Sequence, residues 1–355
     1  MQSLDNNVPH QHEEQRLTGA PVGERGLLGS VAPVLIPTCN RCQHFQNLVH
    51  SLQACPLAQQ THLYIALDAP FSESVVEENR RILQISEKLT GFARVTIWQR
   101  ESNLGAVRNI TDAVDQVFQN HDRLILLEDD NVVAKNFFLF MNQALNQFAC
   151  DPQCFSISGY HYQKSQASDP AVDFYRASYF AGWGVGIYRD RFFHPTTKCG
   201  DRPSAFFLNP INLWKTYCLT PHLFRMYMEG RLLGKVYGDV LFSIICMQEG
   251  LYSVFPALTK VINRGADGSG QHCVASNEIF HKGYEKENQE NFDFSPCLAA
   301  DSHFCKENRK WFAAHQSAPT RHTISLFWRY FTRVVGLRPT PPLASYRPMQ
   351  KAEKN

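Results

Sequence analysis

An aliphatic run that ends in three consecutive carboxylates, LILLEDD, constrains this chain more than any other stretch. Leu124 to Leu127 read as a buried strand, and the run stops abruptly at Glu128, Asp129 and Asp130. Adjacent carboxylates at the end of a buried strand repel one another and lose hydration, a cost that a bound cation removes. Oxygen-only ligands suit Mg²⁺ or Mn²⁺, ions that are also shared with the phosphates of a nucleotide. The alternative is a solvated acidic turn that caps the helix starting near Lys135, since Asp and Asn favour helix entries. A cap needs one carboxylate, whereas three of them pinned behind four aliphatic residues favour the metal.

Around this strand the chain alternates β and α patterns. VAPVLIPTCNR is a short β run ending at Pro37 and Thr38, and the next stretch sets Phe45, Leu48, Val49 and Leu52 at helical spacing. HLYIALDAP alternates up to Asp68, and SVVEENRRILQISEKL follows as an amphipathic helix. ARVTIWQR is a third strand, followed by the turn ESNLGAVRNI and a helix through Val117 and Phe118; LILLEDD is the fourth strand. Strands that alternate with helices predict a mostly parallel sheet, with ligands gathered at the carboxyl ends of its strands. Thr38, Asp68, Arg108 and the acidic triplet fall at or just beyond those ends. Arg108 could set a guanidinium against a diphosphate, and a helix-surface arginine fits its spacing equally well. Asp68 could accept a base N–H or simply form the turn before Ala69 and Pro70.

Beyond the triplet, FFLFMNQALNQF reads as a helix and CFSISGYHY as a strand. In YFAGWGVGIYRDRF, Gly182, Gly184 and Gly186 surround Trp183, either to let backbone approach a ligand beside an indole wall or as a glycine-rich strand with a buried Trp, the reading its composition favours. A helix is predicted around Leu213 to Met228, and another with Val240, Leu241, Ile244, Ile245 and Met247 on its apolar face and Asp239 in its first turn, where an acid is common for its own sake. LTKVINRGADGSGQHC gives a short strand and a loop of small residues that delivers His272. No G-x-G-x-x-G follows the first strand and no P-loop pattern occurs, so a phosphate binder built this way relies on a metal.

Composition narrows the setting. With 355 residues and 44% hydrophobic content, the chain can bury one large α/β core. A formal net charge of +2 gives no global attraction to nucleic acid. Eleven scattered cysteines without a recognisable secretory leader predict reduced thiols in a cytoplasmic protein. Cys39 and Cys42 have CxxC spacing, but no second pair completes a zinc site. Asn109-Ile110-Thr111 matches a glycosylation acceptor and reads as helix sequence. No apolar run approaches the roughly 20 residues that cross a bilayer. Residues 1–30 are predicted to be a disordered arm, 31–305 the main domain with halves 31–131 and 132–305, 306–338 a helical extension, and 339–355 a disordered tail. In that extension Ile324, Phe327, Trp328, Phe331, Val334 and Val335 share a helix face while Arg329, Arg333 and Arg338 crowd elsewhere. Residues 320–338 could therefore lie peripherally on the inner face of an anionic membrane or pack against the body of the protein.

The order of motifs from about Val31 to Cys273 resembles a nucleotide-sugar glycosyltransferase of the GT-A fold, similar to bacterial family 2-like enzymes and to the N-acetylglucosaminyltransferase I group. The resemblance rests on VLIPTCNR, NLGAVRN, LEDDNVVAKNFF, YFAGWGVGIYRDRF and GDVLF followed by GLYSVFPALTKVINRGADGSGQHC. It implies a Rossmann-like, mostly parallel sheet flanked by helices. It also implies that Pro37, Thr38, Asn40, Asp68 and Arg108 border the nucleotide, and that Glu128 and Asp129 hold the nucleotide and donor side. Gly182, Trp183 and Gly184 would lie along donor and acceptor, and Asp130 would coordinate Mn²⁺ or Mg²⁺ with His272 adding to the metal or pyrophosphate end. Asp239 would be the general base, although relatives often carry Trp-Asp or Asp-Asp where this chain has Gly238-Asp239. The implied reaction is inverting transfer from a UDP-sugar to a hydroxyl of a glycan or lipid-linked acceptor, with no nucleic acid involved. A nucleotidyltransferase of similar fold and a catalytically inactive glycan-binding domain are the competing readings.

Overall fold

The computed structural model describes residues 31–161, 172–192, 205–219, 221–235, 237–265, 267, 288–295 and 320–339. Strands β1 (Val34–Thr38), β2 (His62–Leu67), β3 (Arg94–Gln99) and β4 (Arg123–Leu126) alternate with helices α1 (Cys42–Gln53), α2 (Val76–Glu87) and α3 (Ala106–Phe118), as their periodicities predict. A three-residue strand β5 (Asn131–Val133) and helix α4 (Phe137–Gln147) follow the acidic triplet, and then come β6 (Cys154–Ser158), β7 (Phe174–Ala177) and β8 (Val185–Tyr188). Helices α5 (Pro210–Leu219), α6 (Pro221–Leu233) and α7 (Gly238–Glu249) lead to β9 (Tyr252–Pro256) and β10 (Val261–Asn263), with α8 (Thr320–Val334) last.

Eight strands form one sheet in the order β3-β2-β1-β4-β8-β6-β9-β7. The first four are parallel neighbours, as βαβ crossovers require. β8 runs antiparallel between β4 and β6, β9 lies parallel to β6, and β7 closes the edge antiparallel to β9. This is the mostly parallel, helix-flanked sheet that the sequence implied.

The period-2 alternation of the strands explains why both faces are dry. Val34, Ile36, Leu63, Ile65 and Ile125 pack beneath α1, α2 and α4, through Phe45, Leu52, Ile82, Phe137 and Met141. Their neighbours Leu35, Ala66 and Leu124 face the other way, against Val114 and Val117 of α3 and Phe242 and Cys246 of α7. β5 pairs antiparallel with β10 in a separate ribbon that sets Asn131 opposite Asn263.

Two sequence expectations change. The helix expected around Leu213 to Met228 is two helices, because Pro221 has no N–H to continue the first and opens the second at the position where that loss costs nothing. The C-terminal helix does not present one apolar face. Leu326 and Tyr330 are buried, with Phe327 and Val334 partly so, in a cluster with Leu223, Phe224, Tyr227 and Met228 of α6. Ile324, Trp328 and Val335 remain exposed. Tyr330, which a count of purely apolar positions omits, supplies the ring that packs on Tyr227 at 6.0 Å and decides which side faces inward.

The glycine-rich strand entrance is a packing device. Gly184 has φ +66°, and a Cβ there would stand 2.6 Å from Val261 Cγ2 and 3.3 Å from both Leu127 and Phe137. Gly159 donates its N–H to the Gly184 carbonyl at 2.7 Å, so the two backbones meet with no side chain between them. Gly184→Ala combines a left-handed backbone with an overfilled core, and we expect a loss of at least about 2 kcal/mol in urea unfolding. A loss within about 0.5 kcal/mol, the range of an ordinary surface change, would refute this account.

Candidate active site

The parallel strands deliver their polar ends to one edge of the sheet. Thr38 ends β1, Asp68 follows β2, and Glu128 to Asp130 follow β4; of these only Glu128 is more than slightly accessible. Thr38 Oγ1 donates to Asp129 Oδ2 at 2.9 Å. Arg41, three residues beyond Thr38, donates through Nη1 to Asp130 Oδ2 at 2.6 Å and through Nη2 to Asp129 Oδ1. From the β5–β10 ribbon, Asn131 Nδ2 and Asn263 Nδ2 both donate to Asp130 Oδ1, at 3.1 and 2.8 Å. Asn263 Oδ1 in turn accepts the Gly265 N–H at 2.8 Å, and the Arg264 N–H reaches the Asp130 carbonyl. Gly265 lies so near that a Cβ there would stand 2.2 Å from Asp130 Oδ2.

Asp239 stands on a separate element, in the first turn of α7. Its Oδ2 accepts the Gly182 N–H at 3.3 Å, and a Cβ on Gly182 would press to 2.8 Å against Oδ1. Asp239 is among the exposed residues. Partial burial pushes its carboxyl up to about 6 against the opposing Gly182 hydrogen bond, and its exposure to solvent works against that rise. Glu128 is raised well above the usual carboxylate range, first by burial and then by the charges of Asp130 and Asp239. Asp129 is raised chiefly by burial, with Arg41 and Thr38 opposing. Burial works against the charge on Arg41 itself, and the two aspartates more than offset it, so its pKa rises.

Other residues singled out in the sequence fall as follows. Pro37 and Asn40 flank Thr38, half-buried. Asp68 is buried and clamps the next loop: its carboxylate accepts the N–H groups of Ala69, Leu104 and Gly105 and the amide of Asn103. Trp183 is half-buried against Tyr160, ring centroids 4.5 Å apart. Arg108 sits on the solvent face of α3 with Asp112 3.6 Å away. His272 lies outside the described residues. Burial, with the charges of Asp68 and Asp129, pushes the Cys39 thiol up to about 12. Asn109 is buried, donating to the Ala66 carbonyl and accepting from Arg100, so no glycan attaches there.

Sequence reasoning missed Arg41, Asn263 and Gly265. Arg41 stands in the quoted VLIPTCNR and could have been suspected as the first cation after β1. The other two become visible only through the β5–β10 pairing. Among the described residues no three His, Cys, Asp or Glu side chains form a closed metal cage. Mg²⁺ and Mn²⁺ do not need one, since such ions bind through one or two carboxylates with the rest of the shell from phosphate and water. Asp130 suits that chemistry: two amides fix Oδ1, and Oδ2 already faces a positive group. Asn263→Ala removes a donor from this buried carboxylate and strands the Gly265 N–H. The expected cost is about 1–3 kcal/mol in urea unfolding; a change below about 0.5 kcal/mol would mean that these bonds do not hold the ribbon.

Comparison with known proteins identifies the family. The sequence model of the GNT-I family matches residues 6–197. The alpha-1,3-mannosyl-glycoprotein 2-beta-N-acetylglucosaminyltransferase of Arabidopsis thaliana is 27% identical over 169 residues, which cover 45% of this chain and 38% of that relative. The chain thus spans well under half the length of the curated relative that it matches. Among solved structures, S. aureus TarS aligns over 86% of this chain and 44% of its own, at 12% identity and a TM-score of 0.33. The mannosyltransferase PcManGT from Pyrobaculum calidifontis, solved with GDP-Man and Mn²⁺, aligns over 86% and 83%, at 12% identity and a TM-score of 0.37. The family match takes in β1 through β8, including Arg41 and the acidic triplet, and on that ground this chain belongs to the GNT-I family.

Proposed function

We propose that the chain is an inverting, divalent-metal-dependent glycosyltransferase that moves a sugar from a UDP-sugar to a hydroxyl of a glycan or lipid-linked acceptor. One observation supports the reading: a carboxylate on a separate element, Asp239, is among the charges that raise the Glu128 carboxyl. Inverting transfer asks for that division of labour, with one acidic group at the leaving diphosphate and one base across the sugar. A hydrolase would instead need two carboxylates flanking the bond as acid and base. The name of the plant relative makes UDP-N-acetylglucosamine the first donor to test.

The residues divide the work as follows. Asp130 would hold the ion, with His272 a second proposed ligand, and Glu128 and Asp129 would line the donor side, Asp129 held in orientation by Thr38. A bound Mn²⁺ or Mg²⁺ supplies Lewis-acid stabilisation of the charge that develops on the diphosphate. Asp239 takes the proton of the acceptor hydroxyl while that oxygen bonds to the anomeric carbon and the diphosphate leaves with the bonding electrons. Gly182 donates to one Asp239 oxygen and leaves the other for that proton. The nucleotide edge is proposed along Pro37, Thr38 and Asn40, with Asp68 shaping it through the 103–105 loop and Arg108 at its rim.

A carboxyl raised to about 6 is protonated, and idle as a base, below that pH. Turnover should therefore climb as pH rises through about 6 and then level. Asp239→Asn should lower turnover by at least about 10²-fold while UDP-sugar binding persists, and Asp130→Ala should lose the Mn²⁺-dependent part of the thermal shift given by UDP. Undiminished turnover in the first variant, or an unchanged shift in the second, removes that residue from its role.

The same reading includes contact with a membrane surface. Among the described residues no helix is long and apolar enough to cross one. Ile324 and Trp328 are exposed on a helix without a single acidic residue, with Val335 exposed just past its end and Arg329 and Arg338 exposed nearby in sequence, which suits an anionic headgroup layer. The protein should sediment with phosphatidylserine vesicles and not with phosphatidylcholine ones, and Trp328→Glu should release it. Equal sedimentation with both lipids would argue against this contact.

A further inference from the structure

We infer that Arg41 is a built-in counter-ion that a divalent cation must displace, so that the cation binds well only together with an anion able to take over the guanidinium. The inference rests on the metal-dependent reading above and adds the order and coupling of binding. Asp130 has two oxygens with separate duties. Oδ1 is held by the amides of Asn131 and Asn263. Oδ2 is the oxygen left to an ion, and Arg41 Nη1 rests on it at 2.6 Å. The other terminal nitrogen of Arg41 takes Asp129 Oδ1, while Thr38 holds Asp129 Oδ2. One guanidinium therefore straddles the two aspartates, using the fork geometry that makes arginine suited to paired oxygens.

A hard divalent ion approaches a carboxylate oxygen to about 2.0–2.1 Å. Seated on Asp130 Oδ2, it would put two positive centres within a few ångströms in a site where both aspartates are nearly inaccessible to water, and at that range their repulsion is large. The ion and the guanidinium therefore exclude each other at this oxygen. Displacement leaves Arg41, whose own side chain is 20% exposed, without its partners, and a partly buried charge stripped of its partner is costly. A diphosphate removes the cost, since it accepts the released guanidinium bidentately while it shares the ion. Bare metal binds weakly on this account, metal with a nucleoside diphosphate binds cooperatively, and by linkage the diphosphate depends on the metal to the same degree. Arg41 acts as a positioning residue whose contribution is the coupling.

The test is Mn²⁺ uptake by the whole protein, read from loss of the free-ion signal in electron paramagnetic resonance, alone and with UDP or uridine. In the unaltered chain UDP should tighten Mn²⁺ about tenfold or more, within the usual span of coupling between sites, and uridine, which has no phosphate, should leave it unchanged. Arg41→Gln should bind bare Mn²⁺ about tenfold more tightly and lose most of the UDP enhancement. The uridine comparison uses the native chain and so stands even if the variant fails to fold. Equal or weaker bare Mn²⁺ uptake by a folded Arg41→Gln protein, or uridine matching UDP, overturns the inference and leaves the metal reading intact. Absence of Mn²⁺ uptake under every condition overturns both.

Discussion

Two of the three successive carboxylates at the end of β4, Asp129 and Asp130, can be kept dry only because positive charge and amide donors reach them from elsewhere in the chain. Arg41 comes from the loop after β1, Thr38 from the end of β1, and Asn263 from a ribbon more than a hundred residues downstream. Each of these contacts depends on sheet register: β1 beside β4 aligns Thr38 with the acids, and β5 beside β10 sets Asn131 against Asn263. The site is thus less a feature of the triplet than of the strand order that surrounds it.

The parts that could be read in the sequence share a physical cause. Strand and helix periods in the first 130 residues act over short distances, so the alternation of β1 to β4 with α1 to α3, and the carboxyl-end location of Thr38, Asp68 and the acids, follow from local pattern. Asp239 in the first turn of a helix was legible for the same reason. Arg41 was not, because its role is a relation between positions 88 and 89 residues apart. The division of α5 from α6 was written in Pro221 but masked by the apolar periodicity on either side. For α8 the pattern offered more than one stripe, and only the rings of Tyr227 and Phe224 settle which of them is inside.

The carboxylates of the site differ in kind. Asp68 is saturated by four donors and serves the shape of the 103–105 loop. Asp130 has one oxygen committed to amides and one to a cation. Asp239 has one hydrogen bond and an open side. The graded availability of lone pairs, from none to nearly all, separates a scaffold carboxylate from the ones proposed to hold a cation and to accept a proton, without appeal to position in the motif.

The meeting of Gly159 and Gly184 against Val261, Leu127 and Phe137 has a consequence for how such a protein can diversify. At this junction there is no slack for even one methyl group, so the packed layer is closed to innovation. Diversification has to be written into the loops at the strand ends, which can lengthen or exchange side chains without disturbing the layers between.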